Sequence, residues 1–117
     1  MMTRNSERRE SVRKELLATS KRLCSKSDRS ALGLALRRLL PNLERAFVLK
    51  WVPEQGEDIY WVLTGSAEVV TVELPRGQPH AEKSAALQMT DVATFQCKHH
   101  SRDVREKLEI ALELVRA

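Results

Sequence analysis

A chain of 117 residues with 42% hydrophobic and 31% charged side chains has the material for one compact domain that buries roughly two thirds of its unfolded surface. That composition argues against a two-domain enzyme and against a fibrous or disordered protein. The formal charge of +4 is unevenly spread: residues 1–38 carry 11 Lys and Arg against 4 acidic residues, and residues 39–95 carry 4 against 8. A basic end beside an acidic middle suits either a polyanion-binding face or a partner of mixed charge.

No apolar run approaches the ~20 residues that span a bilayer, and the opening MMTRNSERRE is polar. A cytoplasmic location and no membrane partner are therefore expected. Cys24 and Cys97 stand far apart without C-x-x-C spacing, which points to reduced thiols rather than a disulfide framework or zinc ribbon.

The pattern over Ser6 to Ser25 sets Val12, Leu16, Leu17, Leu23 and Cys24 on one stripe of a 3.6-residue period, so an amphipathic helix is expected there, capped by Asn5 or Ser6. Residues 1–26 then form a basic N-terminal helix, loosely attached to a single domain spanning 1–117. SKSD breaks the chain, and Ser27 or Asp28 caps a second helix running to Leu40, where Pro41 stops it. Gly33 inside that helix suggests close approach of another element, and NLER adds a further turn.

From Ala46 the period becomes 2. AFVLKWV sets Phe47, Leu49 and Trp51 on one side, and PEQGED turns the chain. IYWVL sets Ile59, Trp61 and Leu63 opposite Tyr60 and Val62, TGS turns again, and AEVVTVEL sets Val70, Val72 and Leu74 opposite Val69, Thr71 and Glu73. These three runs predict an antiparallel meander with helices over one face. Residues 78–97 read as a loop and a short helix capped by Thr90 or Asp91, with a fourth, edge strand as the alternative. Ser101 precedes Val104, Leu108, Ala111, Leu112 and Val115, a helical stripe, with Arg102–Glu106 and Arg105–Glu109 spaced to pair outside. The expected fold is α+β: two N-terminal helices, a three-stranded antiparallel meander, and a C-terminal helix packed on one sheet face.

Groups for chemistry are scarce. Cys97, His99 and His100 lie together, but adjacent histidines point apart and lack a second ligand pair of metal spacing; an exposed loop or N-terminal helical turn with Cys97 half-buried is expected, with no metal and no cofactor. A Cys97–histidine pair separated by two positions rarely reaches the distance that activates a thiol. Glu57 and Asp58 fall in a turn where both stay ionised, and the four glycines form no phosphate loop. The expectation is not an enzyme. Tyr60 and Trp61, being adjacent on a strand, face opposite sides, so one of them lies away from the helices beside Glu54, Glu57, Asp58, Glu68 and Glu73. Such a surface suits a protein better than a nucleic acid, because carboxylates repel phosphate.

The segment RAFVLKWVPEQGEDIYWVLTGSAEVVTVELPRG, followed by REKLEIALELV, resembles the sheet and terminal helix of small bacterial toxin-immunity proteins of the contact-dependent inhibition type. The resemblance implies an antitoxin-type inhibitor that caps a toxin domain, with Glu54, Glu57, Asp58, Glu68 and Glu73 as the acidic contact edge and Tyr60 as an aromatic anchor. An alternative reading is nucleic-acid binding. With the first helix set aside, the order helix, three strands, helix is similar to the double-stranded-RNA-binding domain, and KHHSRDVREK stands where that family keeps its basic cluster. In the general form of this alternative, Arg8, Arg9, Arg13, Lys14, Lys21 and Arg22 of the first helix neutralise phosphates.

Overall fold

The computed structural model describes residues 4–116. Four strands, β1 (Ala46–Glu54), β2 (Glu57–Thr64), β3 (Glu68–Pro75) and β4 (Ala86–Asp91), form an antiparallel meander in that spatial order. Helices α1 (Arg4–Leu23) and α2 (Ala31–Leu39) precede the sheet, and α3 (Val92–Gln96) and α4 (Arg102–Arg116) follow it. The α+β class and the antiparallel pairing match the sequence pattern, but the sheet has four strands rather than three. Segment 78–97 holds a 3₁₀ turn at Ala81–Ser84 and then β4. ALQMTD has little β propensity of its own, and pairing with β3 (Leu87 opposite Val72, Met89 opposite Val70) makes it a strand. The short helix is also present: Asp91 caps α3 by accepting the Thr94 N–H at 2.7 Å, and Phe95 is buried.

The larger correction concerns coverage, because the sheet carries helices on both faces. Leu63 and Val69 share one side with Phe47 and pack beneath Leu16 of α1, Phe95 of α3 and Val104 and Leu108 of α4. On the other side, Ala46, Val62, Val70 and Val72 pack against Leu32, Ala35 and Leu36 of α2 and Leu23 of α1. Both alternating sets in β2 and β3 are apolar, so each needs cover. The cover is incomplete near the β1–β2 turn, where Val52, Ile59, Trp61 and Thr71 on the α4 side are partly exposed, and along β4, where Ala86, Gln88 and Met89 are exposed.

A bulge between Val48 and Lys50 changes the reading of β1. It lets Leu49 stay in the α4-side core with Phe47 and moves Trp51 to the opposite face, level with Tyr60. Simple alternation had placed all three on one side, and one extra residue reverses every position after it.

Helix α1 lies along β1 and joins the two cores, with Leu16 buried in one and Leu23 in the other. The Ser20 hydroxyl between them accepts the Ala46 N–H at 3.0 Å, satisfying an edge amide. The helix is already formed at Arg4, so Asn5 and Ser6 lie within its first turn rather than capping it. For α2 the cap is Ser30, whose hydroxyl accepts from the Gly33 N–H, not Ser27 or Asp28. Asp28 instead accepts from the Ser30 N–H (3.2 Å) and hydroxyl (2.8 Å), and Arg37 bridges the Ser25 and Asp28 carbonyls. NLER is not a helical turn; a single Leu43 N–H to Leu40 carbonyl bond follows Pro41 before β1 begins.

Helix α4 begins after Ser101, whose hydroxyl accepts the Val104 N–H at 3.3 Å. Its expected internal pairs do not form, since α1 offers its own guanidinium groups. Arg8 reaches Glu106 at 3.1 Å, and Arg9 reaches Glu109 at 3.3 Å and Glu113 at 3.0 Å.

Gly33 provides a test of the α2 cap. A methyl group there would overlap the Asp28 carboxylate that holds Ser30. Alanine normally gains about 1 kcal/mol over glycine inside a helix, but displacing Asp28 loosens a cap worth about 1–2 kcal/mol and crowds the packed turn. Gly33→Ala is therefore expected to lower stability by about 1 kcal/mol in urea unfolding, and an increase would show that the Asp28–Ser30 contact contributes little.

Candidate protein-binding surface

The candidate surface is the β1–β2 hairpin end, where the chain reverses over Gln55 and Gly56. Gly56 takes φ +81°, a left-handed conformation that glycine adopts without strain. The turn is tied to the start of the next loop: the Arg76 N–H donates to the Gly56 carbonyl at 2.8 Å, and its Nη2 donates to the Glu57 carbonyl at 3.2 Å.

Asp58 joins the parts. Its Oδ1 accepts from Arg76 Nη2 at 2.6 Å and from Trp51 Nε1 at 3.0 Å. The Arg76 hydrogen bond, followed by that from Trp51, holds the Asp58 carboxyl below its ordinary value. Arg76 is correspondingly pushed up by the same bond. Trp51 is thus fixed at its polar end while its ring remains 55% exposed. Opposite it in register stands Tyr60, half-buried, whose hydroxyl is pushed up by burial and then by the Asp58 charge. Beside this pair a groove of about 370 Å³ runs between β1 and the helices, lined in part by Arg22, Thr19, Ser30 and Lys50.

The expected acidic contact residues divide into two groups. Glu54 and Glu57 face each other across the turn, Asp58 follows, and Glu73 lies opposite Ile59 on the neighbouring strand. Glu68 is at the far end of β3, opposite Asp91 and about 17 Å from Glu73 at the usual strand rise. Glu57 and Asp58 begin β2 rather than occupying a loop, and Asp58 is committed to Trp51 and Arg76. Trp51 was missed as the exposed aromatic because the bulge that turns it outward leaves no mark in a plain alternation of apolar residues.

The basic set divides as well. Arg8 and Arg9 are engaged with α4 carboxylates, and Arg22 lies 3.8 Å from Asp28. Arg13, Lys14 and Lys21 are exposed on α1. The helix therefore uses part of its charge to hold the fold.

Near α4, Cys97 is exposed rather than half-buried and His99 is exposed as expected, whereas His100 is buried, contrary to the expected exposed position. The His100 ring stacks on Phe95 with centroids 4.1 Å apart and meets the Trp61 ring edge-on, and its Nε2 bonds the Phe95 carbonyl at 2.7 Å. Cys24 is half-buried, and burial pushes its thiol up, away from the reactive thiolate. Among the described residues no three His, Cys, Asp or Glu side chains group to hold a metal, and no helix is long and apolar enough to cross a membrane. Compared with known proteins, the chain matches no family model, no curated protein and no solved structure.

The Asp58 junction predicts a pH response. A folded-state pKa below the ordinary carboxylate value of about 3.9 means that the junction stabilises the fold above that value and loses its contribution as pH falls through the lower, folded one. Carboxyl NMR should show Asp58 titrating below the ordinary value, with the Trp51 indole N–H signal moving in step. In Arg76→Ala the Asp58 titration should move up. Titration of wild-type Asp58 at the ordinary value would mean that the junction does not form in solution.

Proposed function

We propose that this chain is a non-catalytic protein-binding module, of the immunity or antitoxin type, that neutralises a cognate toxin by direct contact at the β1–β2 hairpin end. The observation that carries this reading is Trp51, an aromatic ring more than half exposed yet held by Asp58 and Arg76. A large ring that has already lost its side-chain freedom can bury apolar area on contact at little further entropic cost, which is how tryptophan anchors interfaces. Tyr60 beside it supplies a second aromatic contact, and the groove alongside gives a partner side chain somewhere to seat.

The surroundings define the partner. Glu54, Glu57 and Glu73 carry negative charge at the same end of the sheet but on its α4 side, in register with Val52 and Ile59, while Trp51 and Tyr60 lie on the opposite face and Arg76 is balanced by Asp58. A complementary partner therefore offers an apolar spot for the indole on one side of the hairpin end and basic groups where it crosses the tip to the glutamates, which suits a toxin domain that acts on a polyanion. The acidic contact set is thus narrowed to Glu54, Glu57 and Glu73, with Asp58 as the residue that positions Trp51 and Glu68 outside the contact. The nucleic-acid reading has less support, because two of its six cations are engaged in holding α1 to α4.

The test is coexpression with the product of the neighbouring reading frame. A stable complex is expected, with protection of cells from that product. Trp51→Ala should weaken the complex at least about tenfold while lowering the melting temperature only slightly, since the ring is outside the core and the fold loses just its bond to Asp58. Glu54→Gln with Glu57→Gln should slow association and reduce its salt dependence, and Glu68→Gln should change neither. A complex indifferent to Trp51→Ala, or no complex, overturns the proposal.

A further inference from the structure

The two edges of the sheet are finished differently. Along β1, α1 packs against the strand, Ser20 satisfies the Ala46 amide, and Pro53 presents no N–H to an incoming strand. At the other edge, β4 packs substantially only on β3 and on α3, which continues from it. β4 contains no proline, and residues 84–90, SAALQMT, carry no charge in a chain that is 31% charged. Proteins normally guard an open strand with charge, proline or a covering element. Met89 is 49% exposed at this edge, at the rim of a shallow recess with Leu39, Leu40 and Pro41.

We propose that this edge pairs with the same edge of a second copy, giving a two-fold dimer with one continuous eight-stranded sheet. A two-fold axis perpendicular to the sheet pairs residues of like face, and centring it on Gln88 sets Gln88 opposite Gln88, Leu87 opposite Met89, and Ala86 opposite Thr90. Every opposed pair is uncharged, and the two amides can hydrogen-bond. On the α2 side the row Val62, Val70, Met89 continues into Leu87, Val72 and Tyr60 of the second copy, so the exposure of Met89 ends where the row resumes. The flanking charges also agree, because antiparallel pairing brings the Asp91 end of each strand toward the Lys83 end of the other. A foreign strand gains the same backbone bonds but has no such match of side chains and flanking charges written into this chain. The surface is small, so the dimer is concentration-dependent rather than obligate. It leaves both β1–β2 hairpins at the outer ends and does not depend on what they bind.

Sedimentation velocity over a micromolar to submillimolar series should show a monomer–dimer equilibrium. Met89→Lys, at a half-exposed side chain, should abolish the dimer while leaving the circular dichroism spectrum, and the melting temperature at concentrations where the wild type is monomeric, unchanged. In a Cys97→Ser background, Gln88→Cys should form a disulfide dimer on treatment with diamide, which removes two electrons and two protons from the paired thiols. Thr90→Cys, opposed to Ala86, should crosslink much more slowly. A monomer at every concentration overturns the proposal. So does a dimer unaffected by Met89→Lys, equal crosslinking at the two positions, or a Gln88→Cys chain that crosslinks to the coexpressed toxin candidate instead of itself.

Discussion

The fold depends on a sheet that is apolar on both sides. Val62, Val70 and Val72 point one way and Phe47, Leu63 and Val69 the other, and all six are fully buried. Burying each such side chain is worth about 1.5–3 kcal/mol, so leaving either set in water would remove most of the stability of a domain this size. Two helical layers follow from that constraint, and the C-terminal segment alone could not supply both. α3 and α4 take one side, α2 takes the other, and α1 is left to close the β1 edge.

That edge position explains why α1 is both basic and half apolar. Its stripe divides between two cores, with Leu16 on one side of the strand and Leu23 on the other, and Ser20 in between serves the strand itself. Arg8 and Arg9 in its first half face the carboxylates of α4. Exposed pairs of this kind contribute little each, and their effect is orientation: they set α4 beside α1, which keeps Val104 and Leu108 over the sheet. A concentration of positive charge at one end of a sequence is therefore accounted for in part by an internal partner elsewhere in the same chain.

Periodicity made much of this architecture legible. The helical stripe from Val104 to Leu112 and the alternation from Ile59 to Leu74 both appear as read, since each depends on neighbours within one element. Three features escaped because they depend on something outside the segment. β4 is a strand only through its pairing with β3. Coverage of both faces requires noticing that Val69 is as apolar as Val70, which alternation conceals by treating one set as inside and the other as outside. The bulge near Leu49 reverses the strand after it with no proline or glycine to announce it. The site suffered most from this last point. The acidic tip is visible in PEQGED, but plain alternation points to Tyr60 as its aromatic neighbour, whereas the bulge makes Trp51 the exposed ring at that end and leaves Tyr60 half-covered beside it.

The same bulge shapes the surface proposed above for binding. Residues before it in β1 serve the core: Ala46, Phe47 and Leu49 are buried. Residues after it, where the helices no longer reach, carry the exposed ring, the guarding Pro53 and the acidic turn. A regular strand would have kept Trp51 on the face of Phe47, away from Tyr60 and from the groove beside α1. With the extra residue, the indole N–H meets Asp58 across the hairpin, and Arg76 from the end of β3 holds that carboxylate from the other side. The exposed aromatic is thereby braced by three consecutive strands or their ends, so its orientation follows from the register of the sheet rather than from a flexible loop. A surface assembled in this way is rigid before it meets anything, and rigidity of the contacting group is what lets a small interface hold firmly.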